Sequence, residues 1–239
     1  MNILIAPDSF KECLTANKVA RSIAHGINKI NPNHNIEEIP ISDGGEGSIE
    51  FLKKNCDGKA VEHETENAIG NKISSEYFKF RNSKTAWIEL SQASGLSLIE
   101  KKNRNPGLTS TYGTGLSIIH AIKSGCSEII LSLGGSATND AGAGIFQALG
   151  GKLLDKNNKQ IERGCESLFK IKQIKTPKYL NNIKLQIAYD VSNPLLGING
   201  ASKTYSRQKG ATLNQIEKLE KNIFHFSQIV KKDLKIDIT

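Results

Sequence analysis

Cysteine is sparse: four residues, Cys13, Cys56, Cys126 and Cys165, lie far apart with no CxxC pair. That spacing excludes a disulfide framework and a thiolate zinc site, and it reads as reduced thiols. Long apolar runs are missing as well. None reaches the roughly 18 residues of a membrane span, and the opening MNILIAP has neither the charged start nor the apolar length of a secretory signal. The expectation is a cytoplasmic protein with no membrane partner. Arginine is scarce, 5 residues against 27 lysines, and aromatics make up 6% of the chain. The net charge of +8 is scattered, without the clustered cations and aromatics of a nucleic-acid surface. It reads as a solvated lysine-rich face with no nucleic-acid partner. The familiar nucleotide and hydrolase signatures are absent too. There is no GxxxxGK[ST], Gly113-Thr114-Gly115 lacks the third glycine of a dinucleotide fingerprint, and neither GxSxG nor a His triad context occurs.

What is present is a regular alternation of strands and helices. MNILIA reads as a strand, Thr15 as a helix cap, and Val19, Ala20, Ile23, Ile27 and Ile30 as the apolar stripe of a helix ending near Asn31-Pro32. Ile36 to Ile41 completes a strand-helix-strand unit, the pattern of a parallel sheet with a crossover helix. Ser42 or Asp43 then caps a helix from about Glu46 to Asn55. Strands follow at Lys59–Glu64, Ile73–Phe80 and Thr85–Leu90, a mixed or antiparallel stretch unlike the opening. From Thr109 the order returns to helix (Tyr112–Lys123), strand (Glu128–Leu133), glycine loop and helix (Ala141–Leu149). Lys152–Asp155 and Gln160–Ile161 suggest a hairpin around Lys156-Asn157-Asn158. Lys184–Ala188 reads as a strand, and a charged helix closes the chain from about Asn214 to Lys232.

Four polar loops, APDSFK, SDGGEGS, LGGSATND and YDVSNP, each follow an apolar strand. In parallel sheets ligands collect beyond the carboxyl ends of the strands, where glycine lets backbone amides approach an anion. Each loop carries an Asp: Asp8, Asp43, Asp140 and Asp190. Phosphoryl transfer needs carboxylates for Mg²⁺ and for the acceptor hydroxyl, with cations and amides to offset charge on the transferred group. Ser9, Lys11, Ser136 and Thr138 are suitable neighbours. Plainer readings exist for single loops: a helix cap at Ser42-Asp43, turn residues at Asp8 and Asp190, a solvated Lys11. Four glycines around LGGSATNDAGAG carry a conformational cost that a mere connection would not require.

Taken in order, IAPDSFKECLTA, ISDGGEGS, ELSQASGL, TSTYGTG, LGGSATNDAGAGIFQALGG and AYDVSNPLLGINGAS resemble the blocks of the bacterial type I glycerate kinase family. The resemblance runs along essentially the whole chain. It implies ATP-dependent phosphorylation of D-glycerate, giving 2-phosphoglycerate, with ATP and Mg²⁺ as cofactors. It also implies two α/β domains: one Rossmann-like with a parallel sheet, begun here by residues 1–57, and an inserted domain with a mixed sheet over residues 58–239. Carried over by position, Asp8, Lys11, Asp43 and Asp190 are the catalytic candidates, with Asp43 and Asp190 as Mg²⁺ ligands. Ser9, Gly44, Gly45, Glu46, Ser94, Gly134, Gly135, Ser136, Thr138, Asp140 and Asn193 would line the substrate and nucleotide cleft.

The chain departs from the family pattern in three places. Leu116 stands where the family has Glu after Gly-Thr-Gly, and Ser206-Arg207 stand before Gln208-Lys209-Gly210-Ala211 in place of Gly-Pro. The sequence also ends before the glycine-rich blocks of the family's C-terminal third. On that last ground the Rossmann-like sheet is expected to lack partner strands, and an open edge favours association into a homo-oligomer. The alternative to an active kinase is an inactive fragment that binds glycerate or nucleotide, or that works with a separate C-terminal piece.

Overall fold

A computed structural model describes residues 1–10, 13–42, 44–177 and 183–239. It opens with β1 (Asn2–Ile5) and β2 (Asn35–Glu38), paired in parallel with Ile3 opposite Ile36. α1 (Ala16–Ile30) crosses between them, capped by the Thr15 side chain, which accepts the Lys18 amide. Its small buried residues, Ala20 and Ala24, pack on Ile5 beside Ile3, Ile27 and Ile36. β2 is shorter than the sequence pattern predicts. Past Ile5 the neighbouring chain reaches Pro7, and only single bonds continue the pairing, from the Ile39 amide to the Ile5 carbonyl and from the Ile41 amide to the Pro7 carbonyl.

α2 (Ser48–Asn55) starts after Gly47, whose φ is +96°. The expected cap is not made by Ser42, whose hydroxyl accepts the Gly44 amide instead, and Asp43 lies outside the described residues. Ile49 and Leu52 of this helix pack on Phe78 of the following sheet, so α2 is anchored there.

The main sheet has five strands in the order β3-β4-β5-β6-β9: β3 (Gly58–Glu66), β4 (Lys72–Phe80), β5 (Thr85–Glu89), β6 (Glu128–Ser132) and β9 (Lys184–Ala188). The β3–β4 and β4–β5 pairs are antiparallel, whereas β5, β6 and β9 are parallel. The class is thus α/β, with a small parallel sheet and a larger mixed one. The short α3 (Ser91–Ser94) follows β5 directly. α4 (Tyr112–Lys123) covers the large sheet, and Ile118 and Ala121 meet Tyr77, Ile88, Ile129 and Leu131.

Two expectations are corrected in the last segment. β7 (Lys152–Leu154) pairs antiparallel with β8 (Gln173–Lys175), while Gln160 forms only an isolated bridge to Leu154. The pairing follows burial: Leu153 and Ile174 enter one core with Leu168, Leu219 and Ile223, the last two from α7 (Leu213–Leu234). α5 (Ala143–Ala148) begins two residues late because Ala141 and Gly142 hold φ of 49° and 76°, outside the helical region. α7 starts on a capping box between Thr212 and Gln215.

The four cysteines are free, and burial pushes the Cys165 thiol up to about 12. No helix among the described residues is long and apolar enough to cross a membrane.

Between β3 and α4 lies a packed imidazole pair. His63 is buried, with Nε2 2.8 Å from Ser117 Oγ and Nδ1 without a partner among the described residues, and its ring stacks on His120 at 4.9 Å. Burial, and then the neighbouring His120, lower the His63 pKa from 6.5. The unfolded chain therefore takes up a proton that the folded chain refuses. This contribution to stability is complete above pH 6.5 and is lost as pH falls toward the depressed folded value. The urea midpoint is expected to drop between pH 7.5 and 5.5, and to drop less in His63→Phe. An equal drop in both proteins removes His63 as the cause.

Candidate functional site

Parallel registration sets the site. Glu89, Ser132 and Ala188 stand level across β5, β6 and β9, so the short helix α3 and the polar loops LGGSATND and YDVSNP leave the sheet along one line. The Leu133 amide still bonds to the Ala188 carbonyl at 2.9 Å. Beyond it, Leu133 to Ser136 run at the surface, whereas Ala137 to Asp140 are buried. The glycine loop thus has an outer half able to meet a ligand and an inner half built into the core.

The second glycine loop comes to meet the outer half. A Cβ added at Gly134 would stand 2.5 Å from the Gly45 Cα, so the two backbones touch with no side chain between them. Gly135 takes φ of 62°, and its carbonyl accepts the Leu96 amide at 2.7 Å. An added Cβ there would meet the exposed Glu46 carboxylate at 3.6 Å. The structure therefore brings Gly45 and Glu46 together with Gly134 and Gly135, with Gly44 and Ser136 next in the chain on either side.

This junction rests on a buried acid that the sequence reading missed. Glu89, 1% exposed, accepts from Ser48 Oγ (2.8 Å) and from the Ile49 amide (2.6 Å) with one oxygen. Its other oxygen accepts from Ser91 Oγ and Gln92 Nε2, both at 3.3 Å. A carboxylate at the first turn of α2 satisfies a helix-end amide and meets the positive end of the helix dipole. The signal was available in AWIEL, where an acid interrupts an apolar strand on the same face as Trp87.

Asp140 is also 1% exposed, and its carboxylate holds backbone. Oδ2 accepts from the Thr111 amide (2.9 Å), Thr111 Oγ1 (2.9 Å), the Gly144 amide (3.1 Å) and Ser110 Oγ (3.5 Å), while Oδ1 accepts the Gly142 amide at 3.3 Å. It fastens the start of α4 to the start of α5. Ser94 is likewise enclosed, with its hydroxyl 2.7 Å from Thr114 Oγ1 and its carbonyl accepting the Ala137 amide. Thr138 is buried, and its carbonyl accepts from Lys209 Nζ at 2.6 Å. The same ammonium donates to Ser136 Oγ at 2.8 Å. Burial pushes the Lys209 pKa down to about 8, and the Asp140 charge opposes that shift. Lys209 was visible in the Gln208-Lys209-Gly210-Ala211 block, yet nothing local distinguishes it from a surface lysine.

The remaining candidates are placed less centrally. Asp8 is partly buried and its Oδ1 accepts the Ser9 amide at 2.5 Å, in a loop tied to the segment after β2 by the Ile41 amide bonding to the Pro7 carbonyl. Asp190 is exposed just beyond β9, and among the described residues nothing bonds to its carboxylate. Asn193 closes its own loop, donating to the Asn199 carbonyl at 2.9 Å and accepting from Tyr205 at 2.6 Å. Lys11 and Asp43 lie outside the described residues.

Similarity to known proteins runs along nearly the whole of this chain. Residues 3–239 match the glycerate kinase family. A glycerate kinase of Halalkalibacterium halodurans is 43% identical over 97% of this chain and 62% of its own length. The glycerate 2-kinase of Escherichia coli K12 is 40% identical over 100% of this chain and 63% of its own. A crystal structure assigned as glycerate kinase 2 from Salmonella typhimurium LT2 superposes with a TM-score of 0.81 at 38% identity, covering 100% of this chain and 64% of the other. The chain thus spans about 62% of the length of the curated relatives it matches.

Proposed function

Because the chain belongs to the glycerate kinase family, we propose that it takes part in the transfer of a phosphoryl group from ATP to a hydroxyl of D-glycerate, with 2-phosphoglycerate as product. The observation that carries this reading is the contact between the two glycine loops at the carboxyl ends of the strands. The partly exposed Gly134 and Ser136 and the exposed Gly135 lie there beside Gly45 and Glu46. Such a surface offers donors to the charge that spreads over a transferring phosphoryl group, at little cost in reorganisation.

Mg²⁺ fits the donor set in kind. It binds through one or two carboxylates together with phosphate oxygens and water. Glu46 and Asp190 are exposed carboxylates near the loop line, and no three His, Cys, Asp or Glu side chains gather as a metal site among the described residues. Asp190, together with Asp43, would hold the ion, which when bound supplies charge neutralisation at the phosphates. Asp8 and Lys11 are assigned to the acceptor side, where a carboxylate orients the glycerate hydroxyl and a lysine offsets its carboxylate. Ser9 and Asn193 shape the loop edges, and Ser94, Thr138 and Asp140 support the cleft from within. The domain division at residue 57 belongs to the same proposal, with α2 reaching across to the larger sheet.

ADP release by the 239-residue chain with Mg-ATP tests this reading. Release is expected to require D-glycerate and to fall about a hundredfold in Asp43→Asn and in Asp190→Asn. ADP release that is indifferent to glycerate overturns the activity. Two variants within a few-fold of wild type overturn the residue roles.

A further inference from the structure

We propose that Lys209 is a positioning residue of this site: its ammonium orders the Gly134–Ser136 segment and sets the Ser136 hydroxyl as a hydrogen-bond donor toward an oxyanion of the ligand. The inference deepens the kinase reading and rests on it for the location of the ligand.

Lys209 lies in the turn between α6 (Ala201–Tyr205) and α7, remote in sequence from the glycine loop. The turn is rigidly built. The Lys209 amide bonds to the Ser206 carbonyl, the Gly210 amide to the Arg207 carbonyl and the Ala211 amide back to Ser206. At Gly210 the backbone has φ of +96° and passes so close to Arg104 that an added Cβ would stand 2.6 Å from its carbonyl oxygen. The lysine is thereby aimed at one place, the boundary between the outer and inner halves of the glycine loop.

Its two contacts act differently. The Thr138 carbonyl fixes the backbone where the loop enters the core. At Ser136 the hydroxyl oxygen accepts from the ammonium, which leaves the hydroxyl proton as the group's outward donor. A charged donor on that oxygen polarises the O–H bond and strengthens the bond it can give. Ser136 is partly exposed, and the neighbouring Gly135 is open to solvent. A phosphoryl oxygen of the nucleotide and the carboxylate of glycerate share the chemistry that this donor would recognise.

Burial holds Lys209 near a pKa of about 8 even with Asp140 in favour of the charge. An anion seated on Ser136 would add a second favourable charge. Binding is then coupled to the charged state of Lys209, and its removal should weaken binding of whichever ligand places its oxyanion there.

The test follows the backbone amide resonances of Gly134, Gly135 and Ser136 by NMR while Mg-ATP and D-glycerate are titrated separately into wild type, Lys209→Met and Ser136→Ala. Wild-type resonances should shift and saturate with one of the two ligands, which identifies the source of the oxyanion. Both substitutions should weaken that ligand about tenfold or more, with affinity for the other within about twofold. Ser136→Ala removes only a partly exposed hydroxyl, so it decides the matter should Lys209→Met fail to fold. The inference is overturned if neither ligand moves these amides in wild type, or if Ser136→Ala binds both ligands as wild type does. It is also overturned if a folded Lys209→Met does so. Because the readout is binding, absence of glycerate-dependent ADP release would count against the kinase reading alone.

Discussion

Gly134→Ala is expected to remove about 99% of glycerate-dependent turnover while leaving the fold in place. The new methyl carbon would stand 2.5 Å from the Gly45 Cα, about 1 Å inside ordinary carbon contact. Backbone lies on both sides, so no flexible side chain can swing away. The loops must separate by roughly that ångström, and a displacement of this size in a positioned reacting group costs on the order of a hundredfold in rate. Stability should respond much less, since Gly134 is partly exposed and makes no buried side-chain contact. Gly26→Ala supplies the control. Gly26 lies within α1 with nothing within 4 Å of an added Cβ, so the change should stabilise the protein by about 0.5–1 kcal/mol and leave turnover unaltered. Steady-state kinetics and thermal melts of both variants separate the cases. Near-normal turnover by Gly134→Ala would show that the contact of the two loops is incidental to activity.

The loops that make this contact were legible because their chemistry is local. An apolar strand, a glycine cluster and a helix in succession leave few other places for the polar residues than the carboxyl end of the strand. The parallel register of β6 and β9 then sets LGGSATND level with YDVSNP, whereas SDGGEGS follows β2 of the other sheet and is held near by α2, which packs on the larger one. What could not be read is how each side chain is spent. Asp140 belongs to the same run of residues as Ser136, yet the chain turns inward at Ala137 and commits its carboxylate to backbone amides. Lys209 shows the converse, since its partner lies 73 residues away and only tertiary packing brings the two together. β8 was hidden for a similar reason. Its single apolar residue gives no alternation to detect, and it is a strand because Ile174 fills the core beneath α7.

Asp140→Asn should produce the largest loss of stability at a single loop position, about 3 kcal/mol. The substitution preserves shape, so packing does not enter the comparison. Four groups donate to Oδ2 and one amide to Oδ1, and the carboxylate is acceptor on both sides. An amide can accept with its oxygen only. In either orientation its NH₂ group faces donors, leaving at least one buried N–H without a partner. With Oδ2 retained as the oxygen, the Gly142 amide loses its acceptor. In the opposite orientation the Thr111 and Gly144 amides lose theirs, and the ends of α4 and α5 separate. The loss of charge has a second effect, because Asp140 supports the ammonium of Lys209 against burial. Without that charge the lysine pKa should fall below about 8. Chemical denaturation should therefore show a lower midpoint, and for a chain of this size a Tm lower by roughly 6–12 °C. NMR titration of the Lys209 side chain would report the fall in its pKa. An unchanged midpoint would mean that water or a shifted loop satisfies these donors. In that case Asp140 would be free to serve the ligand, and its place in the cleft would have to be restored.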